Sequence, residues 1–105
     1  MDLKDKVVLI TGASRGIGKA ILNAFGKIGC KVIGTATSEN GANKISEEIK
    51  NAGFTGKGAV LNVNDLEGIE NLIAEIKKEF GAVEILVNNA GITADNLLMK
   101  MSPEQ

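Results

Sequence analysis

Short apolar runs alternate along the chain with longer segments in which apolar residues recur at helical spacing. The short runs predict buried strands of a parallel sheet, which are apolar throughout because helices cover both of their faces. These runs are residues 7–11, 31–35, 59–63 and 83–87. The longer segments predict amphipathic helices, and they are residues 16–28, 42–52 and 66–80. The β-α-β-α-β-α-β order predicts an α/β fold with a doubly wound parallel sheet and right-handed crossovers.

The predicted helices carry apolar stripes and end signals. In the first helix the stripe consists of Ile17, Ile21, Ala24, Phe25 and Ile28. Gly29 is expected to end that helix and Gly81 the third, as glycines commonly do at the C-terminal end of a helix. Asn64 is expected to be the N-cap of the third helix, with Glu67 completing a capping box and Leu66 beginning the apolar stripe. Apolar residues between positions 97 and 101 predict the start of a further helix.

Composition and charge exclude several classes of protein. The chain has 105 residues, enough for one small domain, and a formal net charge of −1. A charge this close to zero gives no electrostatic reason to expect nucleic-acid or membrane binding. The apolar run near the N-terminus is too short for a signal peptide core or a membrane span. Cys30 is the single cysteine, which excludes an intramolecular disulfide and fits a reducing compartment. We therefore expect a cytoplasmic protein, and we predict no metal site.

A glycine-rich turn, T-G-A-S-R-G-I-G at residues 11–18, lies between the first predicted strand and the first predicted helix. Gly12 permits a sharp exit from the strand, Gly16 a close backbone approach to phosphates, and Gly18 close packing of the helix on the strand. The N–H groups and dipole of the helix N-terminus suit a pyrophosphate. The alternatives are a purely structural turn and a P-loop. A P-loop fits poorly, because five residues rather than four separate Gly12 from Gly18, and Ala20 lacks the hydroxyl that Mg²⁺ needs.

The second predicted strand ends without the acid that NAD-binding units usually carry to hold the ribose hydroxyls. Ala36 occupies that position, and Glu39 comes too late in the chain. Arg15, the single arginine, stands in the glycine-rich turn, and its guanidinium suits a 2′-phosphate. Ser14 and Thr37 are candidate hydroxyl donors to the same group. We therefore expect NADP(H) rather than NAD(H); the alternative is that Arg15 is only a solvated surface charge.

Two motifs together resemble those of the short-chain dehydrogenase/reductase family. They are the turn at residues 11–18 and the N-N-A-G segment at residues 88–91, which follows the fourth predicted strand. Residues 34–42 and 88–101 look closest to the 3-oxoacyl-acyl-carrier-protein reductases of type II fatty acid synthesis. The resemblance covers the whole chain but only the N-terminal part of a usual family member. It implies a Rossmann-like sheet with local strand order 3-2-1-4, present here as its N-terminal half.

The resemblance also implies a set of cofactor-binding residues. The set is Gly12, Ser14, Arg15, Gly16, Ile17, Gly18, Thr37, Asn62, Val63, Asn89, Ala90 and Gly91. Within it, Thr37 would face the 2′-phosphate, and Asn62 would flank the adenine together with Val63. Residues 89–91 would border the ribose nearer the nicotinamide. The family often has aspartate where this chain has Asn62, and either side chain offers an oxygen to the adenine amino group.

The family's catalytic group is an Asn, a Ser, a Tyr and a Lys, the last two in a Y-x-x-x-K pattern. We expect all four to lie beyond residue 105, and the chain contains no tyrosine at all. By resemblance, the parent enzyme reduces a 3-oxoacyl group on acyl carrier protein with NADPH and is a homo-oligomer, tetrameric in the family. We expect residues 1–105 to form one NADP(H)-binding half-domain that is inactive alone and that self-associates or is weakly stable.

Other functions remain open. One alternative is an NADP(H)-binding module without catalysis. Another is part of a short-chain reductase that acts on a different ketone or alcohol. A flavodoxin-like or receiver-type domain is a third possibility, although the acid cluster of a receiver is missing. Asn88 and Asn89 also have a simpler interpretation, in which they only cap strand ends.

Overall fold

A computed structural model describes residues 2–62 and 64–89, and for residues 98–100 the backbone. Within this part of the chain, strands and helices alternate as the sequence predicts up to the fourth strand. The strands are β1 (Val7–Ile10), β2 (Lys31–Ala36), β3 (Thr55–Val60), β4 (Ile85–Val87) and β5 (Leu98–Lys100). The helices are α1 (Gly16–Lys27), α2 (Glu39–Ala52) and α3 (Leu66–Glu79).

The described strands form one sheet in the order β3-β2-β1-β4-β5. The first four are parallel, and β1 lies between β2 and β4, with Leu9 opposite Ile33 on one side and Leu86 on the other. This arrangement confirms the predicted Rossmann-like fold and the local order 3-2-1-4. Because parallel strands end together, the turns after β1, β2, β3 and β4 meet at one edge of the sheet, where such folds bind their ligands.

The core has two layers, one on each face of the sheet. Successive strand residues point to opposite faces, so Val8 packs with α1 and α2 whereas Leu9 packs with α3. The first layer includes Leu22, Ile45 and Ile49, and the second includes Leu72 and Ile76. Burial on both faces explains the continuously apolar sequence of β1.

The buried face of α1 differs from the predicted stripe. Ile17 and Ile28 are 68% and 51% exposed, whereas Gly18, Leu22 and Gly26 are buried. A Cβ at Gly26 would overlap the ring of Phe54. The helix thus faces the core with glycines, because only residues without side chains permit so close an approach.

The bounds of β3 also differ from the prediction, which placed this strand at residues 59–63. The strand is Thr55–Val60, so it begins four residues earlier than predicted, with Thr55, Gly56, Lys57 and Gly58, and it ends at Val60 rather than at residue 63. A Cβ at Gly58 would overlap the carbonyl oxygen of Ala42 in α2, and the Gly58 N–H donates to Ser46 Oγ at 2.8 Å. Close packing of α2 therefore explains the glycine at position 58, whereas Gly56 has φ 149° and a Cβ there would overlap the Val32 carbonyl oxygen of β2.

The start of α3 is shifted by one residue from the prediction. Asp65, not Asn64, is the N-cap, and its side chain accepts a hydrogen bond from the Gly68 N–H at 3.1 Å. The predicted capping box is therefore wrong. Leu66 is 73% exposed and does not belong to the buried stripe, because the helix turns Leu72 and Ile76 toward the sheet.

The segment predicted as a further helix contains a strand instead. Leu98–Lys100 pairs antiparallel with β4, with Leu86 opposite Met99; residues 97 and 101 lie outside the described part of the chain. An edge strand offers a row of unpaired N–H and C=O groups, and pairing with β5 satisfies those of β4. The edge of the described sheet on this side is therefore β5 rather than β4. The expected self-association stays a prediction.

Candidate cofactor-binding site

The glycine-rich turn is anchored to the ends of both strands that flank β1. The Thr11 N–H donates to the Val87 carbonyl at 3.0 Å, and the Ala13 N–H donates to the Thr35 carbonyl at 2.9 Å. Gly12 adopts φ 63°, the left-handed region that favours glycine. The turn therefore crosses the carboxyl edge of the sheet in a fixed path between β2 and β4.

Gly18 brings the first turn of α1 against this loop. A Cβ at Gly18 would overlap the Gly12 carbonyl oxygen and would lie 2.8 Å from Asn89 Nδ2. Any other residue at position 18 would have to displace the backbone of Gly12, which is less free to move than the end of a flexible side chain. The role predicted for Gly18, close packing between helix and strand, is thus matched by the contacts.

The asparagines after β4 bond to the same turn. Asn89 Nδ2 donates to the Gly12 carbonyl at 3.1 Å, and Thr11 Oγ1 donates to Asn88 Oδ1 at 3.1 Å. The sequence suggested strand capping or a pocket role for this pair, but not these bonds to residues 77 positions away. The contacts fix the conformation of the turn from the β4 side, and no local sequence signal indicated them.

The N-terminus of α1 carries no side-chain cap. Arg15 is the N-cap residue with extended backbone, its side chain makes no capping bond, and no acid stands in the first turn. Gly16 adopts φ 64°, and a Cβ there would meet nothing within 4 Å. No side chain therefore caps the N-terminus of this helix, whose first N–H groups need acceptors, and the space on the Cβ side of Gly16 is open. These features fit the diphosphate of a dinucleotide, because anions bind to helix N-termini.

The end of β2 forms the neighbouring part of the site. Ala36 is buried and 7% exposed, and Thr37 after it is exposed. Ser14 lies close to α2, since a Cβ at Gly41 would be 3.8 Å from the Ser14 Cβ. Arg15 is exposed at the same edge of the sheet. A joint contact of Arg15 and Thr37 with one phosphate stays a prediction.

The remaining predicted residues follow β3 and β4, and of these the structure describes Asn62. Asn62 is exposed, and its Oδ1 accepts a hydrogen bond from the Asn64 N–H at 3.0 Å. An amide oxygen has a second lone pair, so this bond leaves the predicted adenine contact possible. Val63, Ala90 and Gly91 lie outside the described residues.

Two other kinds of feature, a cluster of metal ligands and a membrane-spanning helix, are absent from the described ranges. Over residues 2–62, 64–89 and 98–100, His, Cys, Asp and Glu side chains form no group of three that would hold a metal ion. In the same ranges no helix has the length and apolar character required to cross a bilayer.

The strand order and the glycine-rich turn define a Rossmann-like α/β protein, and comparison with known proteins gives the family. The chain belongs to the short-chain dehydrogenase family, whose model matches residues 6–105. Membership in this family implies a nicotinamide cofactor.

The relatives share one name. Over all 105 residues, the chain is 56% identical to 3-oxoacyl-acyl-carrier-protein reductase FabG of Escherichia coli (strain K12) and 58% identical to that of Vibrio cholerae serotype O1. It is 50% identical to FabG of Pseudomonas aeruginosa over the same length. The chain spans 42% of the length of each of these relatives.

Proposed function

We propose that this chain binds NADP(H) as a single half-domain, with the diphosphate at the N-terminus of α1. The main support is the start of α1, where no side chain caps the helix and a Cβ at Gly16 would meet nothing within 4 Å. The N–H groups and the positive dipole end there suit two phosphates. Gly12, Ile17 and Gly18 would line the diphosphate site. Residues 89–91 would border the ribose nearer the nicotinamide.

The preference for NADP(H) over NAD(H) rests on the end of β2. Ala36 provides no carboxylate for ribose hydroxyls, so a 2′-phosphate meets no like charge at that position. Arg15 would bind the 2′-phosphate, with Ser14 and Thr37 as hydroxyl donors. One charge-assisted contact contributes about 1.5–3 kcal/mol, which is about ten- to hundredfold in affinity.

For a full-length protein that contains this chain, we propose NADPH-dependent reduction of 3-oxoacyl-acyl-carrier-protein to the 3-hydroxyacyl product, in type II fatty acid synthesis. The names of relatives that are 50–58% identical support this assignment. Bound NADPH would supply the hydride. The protein would be cytoplasmic and homo-oligomeric, and acyl carrier protein would be its partner as the carrier of the substrate.

Calorimetric titration with NADPH and NADH tests the binding proposal. We expect saturable NADPH binding that is at least about tenfold tighter than NADH binding, the lower end of what one charge-assisted contact contributes. Equal affinities would contradict the cofactor preference. No heat on adding either dinucleotide to folded chain would contradict the site itself.

A second function, NADP(H) binding without catalysis, is favoured for the chain alone by its lack of tyrosine. Incubation with NADPH and an acetoacetyl thioester separates the two functions, because only a reductase oxidises NADPH. We expect no turnover by residues 1–105, and turnover by the full-length protein. A full-length protein that reduces other ketones but not 3-oxoacyl thioesters would refute the proposed substrate and keep the cofactor.

A further inference from the structure

The first turn of α2 packs unusually closely against the end of β2, and Gly41 is the residue that permits this. An ideal Cβ at Gly41 would lie 2.7 Å from the Ala36 Cβ, 3.3 Å from Ser38 Oγ and 3.8 Å from the Ser14 Cβ. Ala36 is buried at the end of β2 and has no flexible atoms that could move aside. A side chain at position 41 would therefore push the first turn of α2 away from the sheet.

Two parts of the proposed 2′-phosphate site, Ser14 and Ala36, lie at this contact, and a third, Thr37, is next to it in the chain. Ser14 belongs to the glycine-rich turn, Ala36 holds the position where an NAD-binding unit carries its acid, and Thr37 joins Ala36 to the N-cap of α2. Ser38 Oγ accepts from the Gly41 N–H at 3.1 Å, which couples this cap to Gly41. Displacing the first turn would consequently move Thr37 relative to Arg15.

We infer that Gly41 is a specificity-determining positioning residue, which selects NADP(H) by holding α2 close to Ser14 and Ala36. The inference rests on the proposed NADP(H) binding. It concerns only the 2′-phosphate, because the diphosphate turn is held independently by the carbonyls of Thr35 and Val87 and by Asn89.

The chain contains a matched control at the same position of another helix. Gly68 in α3 donates its N–H to the N-cap side chain of Asp65 at 3.1 Å, as Gly41 does to Ser38. The three atoms nearest to a Cβ at Gly68 all belong to that cap, with Asp65 Oδ2 at 2.7 Å, Cγ at 3.1 Å and Cβ at 3.6 Å. Alanine at position 68 therefore disturbs a capped first turn whose nearest atoms lie in the cap and not in β2.

The test compares wild type, Gly41→Ala and Gly68→Ala by calorimetric titration with NADPH, NADH, 2′,5′-ADP and 5′-AMP. We expect Gly41→Ala to lower the affinity for NADPH and 2′,5′-ADP by about tenfold, the loss of one charge-assisted contact. NADH and 5′-AMP should change by less than about twofold, since they lack the 2′-phosphate. Gly68→Ala should leave the NADPH/NADH ratio unchanged. Circular dichroism establishes that each variant is folded.

A double variant provides a second test if Gly41→Ala does not fold. Ala36→Gly combined with Gly41→Ala removes the methyl group that the new Cβ would meet, and it should restore both folding and the preference for NADPH. An unchanged NADPH/NADH ratio in Gly41→Ala, or an equal loss in Gly68→Ala, would overturn the inference. Wild type that binds NADH as tightly as NADPH would instead refute the proposed cofactor preference.

Discussion

Helices α1 and α3 begin at the same edge of one sheet, on opposite faces, but their first turns differ. Asp65 caps α3 through its bond to the Gly68 N–H, and Glu67 adds an acid to the first turn. At α1 the N-cap position holds Arg15, without a side-chain cap or an acid in the first turn. An acidic first turn satisfies the N–H groups and dipole of a helix from within the protein. The start of α1 lacks this, which leaves it available to an anionic ligand.

The largest expected effect comes from closing the space between α1 and the turn. Gly18→Ala places a methyl group into the Gly12 carbonyl oxygen and against Asn89. Overpacking of this kind typically costs about 1–3 kcal/mol, and here it also distorts the glycine-rich turn. We expect thermal unfolding at a clearly lower temperature and no measurable NADPH binding. A variant that binds NADPH normally would show that this close approach does not shape the site.

Adding a capping side chain to α1 and removing the one of α3 tests the difference between the two helices directly. Arg15→Asp gives α1 the kind of cap that α3 has, which should stabilise the helix by about 1 kcal/mol while abolishing NADPH binding through repulsion of phosphate. Asp65→Ala should destabilise the protein by about 1 kcal/mol with NADPH affinity intact. Urea unfolding and titration measure both quantities. Retained NADPH binding by Arg15→Asp would contradict the assignment of the site.

A third experiment separates backbone strain from blocked space. Gly16→Ala and Gly53→Ala both put a Cβ at positive φ, 64° and 76°, with nothing within 4 Å, so each should cost about 1–2 kcal/mol. Gly16 faces the proposed phosphates, whereas Gly53 ends α2. We expect only Gly16→Ala to weaken NADPH binding. Equal binding by the two variants would mean that the space before Gly16 is not used.

The smallest expected effect concerns ion pairs that hold the helices. Hydrogen bonds to Glu79 and Glu75, at 2.8 and 3.0 Å, raise the pKa of Lys57 and tie α3 to β3. Because the folded pKa is raised, this stabilisation is complete below roughly pH 10.4, the ordinary lysine value, and is lost at higher pH. Lys57→Met should cost about 1 kcal/mol or less in urea unfolding at pH 7, and nothing above the folded pKa.

Lys19 in α1 serves as the control for that experiment. It forms a single pair with Glu48 at 3.2 Å, and its side chain is 43% exposed compared with 27% for Lys57. Lys19→Met should therefore change the free energy of unfolding less than Lys57→Met does. The reverse order would show that the two carboxylates do not act together on Lys57.

Local signals in the sequence predicted the alternation of strands and helices and the position of the glycine-rich turn, whereas the strand order 3-2-1-4 was implied by the resemblance to the family. Val7 to Ile10 are continuously apolar, and the glycines that follow lie where a strand meets a helix. The start of β3 was missed, since Gly56 and Gly58 resemble a loop until their contacts with β2 and α2 are known. The burial of Gly26 in α1 was missed because it depends on a distant contact with Phe54.

Two other features depend on contacts that are distant in sequence. The bond between Asn89 and Gly12 joins residues 77 positions apart and has no periodic or compositional signal. The strand Leu98–Lys100 depends on pairing with the edge of β4, and its apolar sequence suits a helix equally well. The position of Gly41 against Ala36 likewise appears only when β2 and α2 are packed together.

The most direct test of a dinucleotide site at α1 is an amide NMR titration of ¹⁵N-labelled chain with NADPH. We expect the N–H signals of Gly16, Ile17 and Gly18 to shift most, because their N–H groups begin to donate to phosphate oxygens. The signal of Gly68, already bonded to Asp65, should shift much less. Shifts that are absent at α1, or larger at Gly68 than at Gly16, would contradict the account.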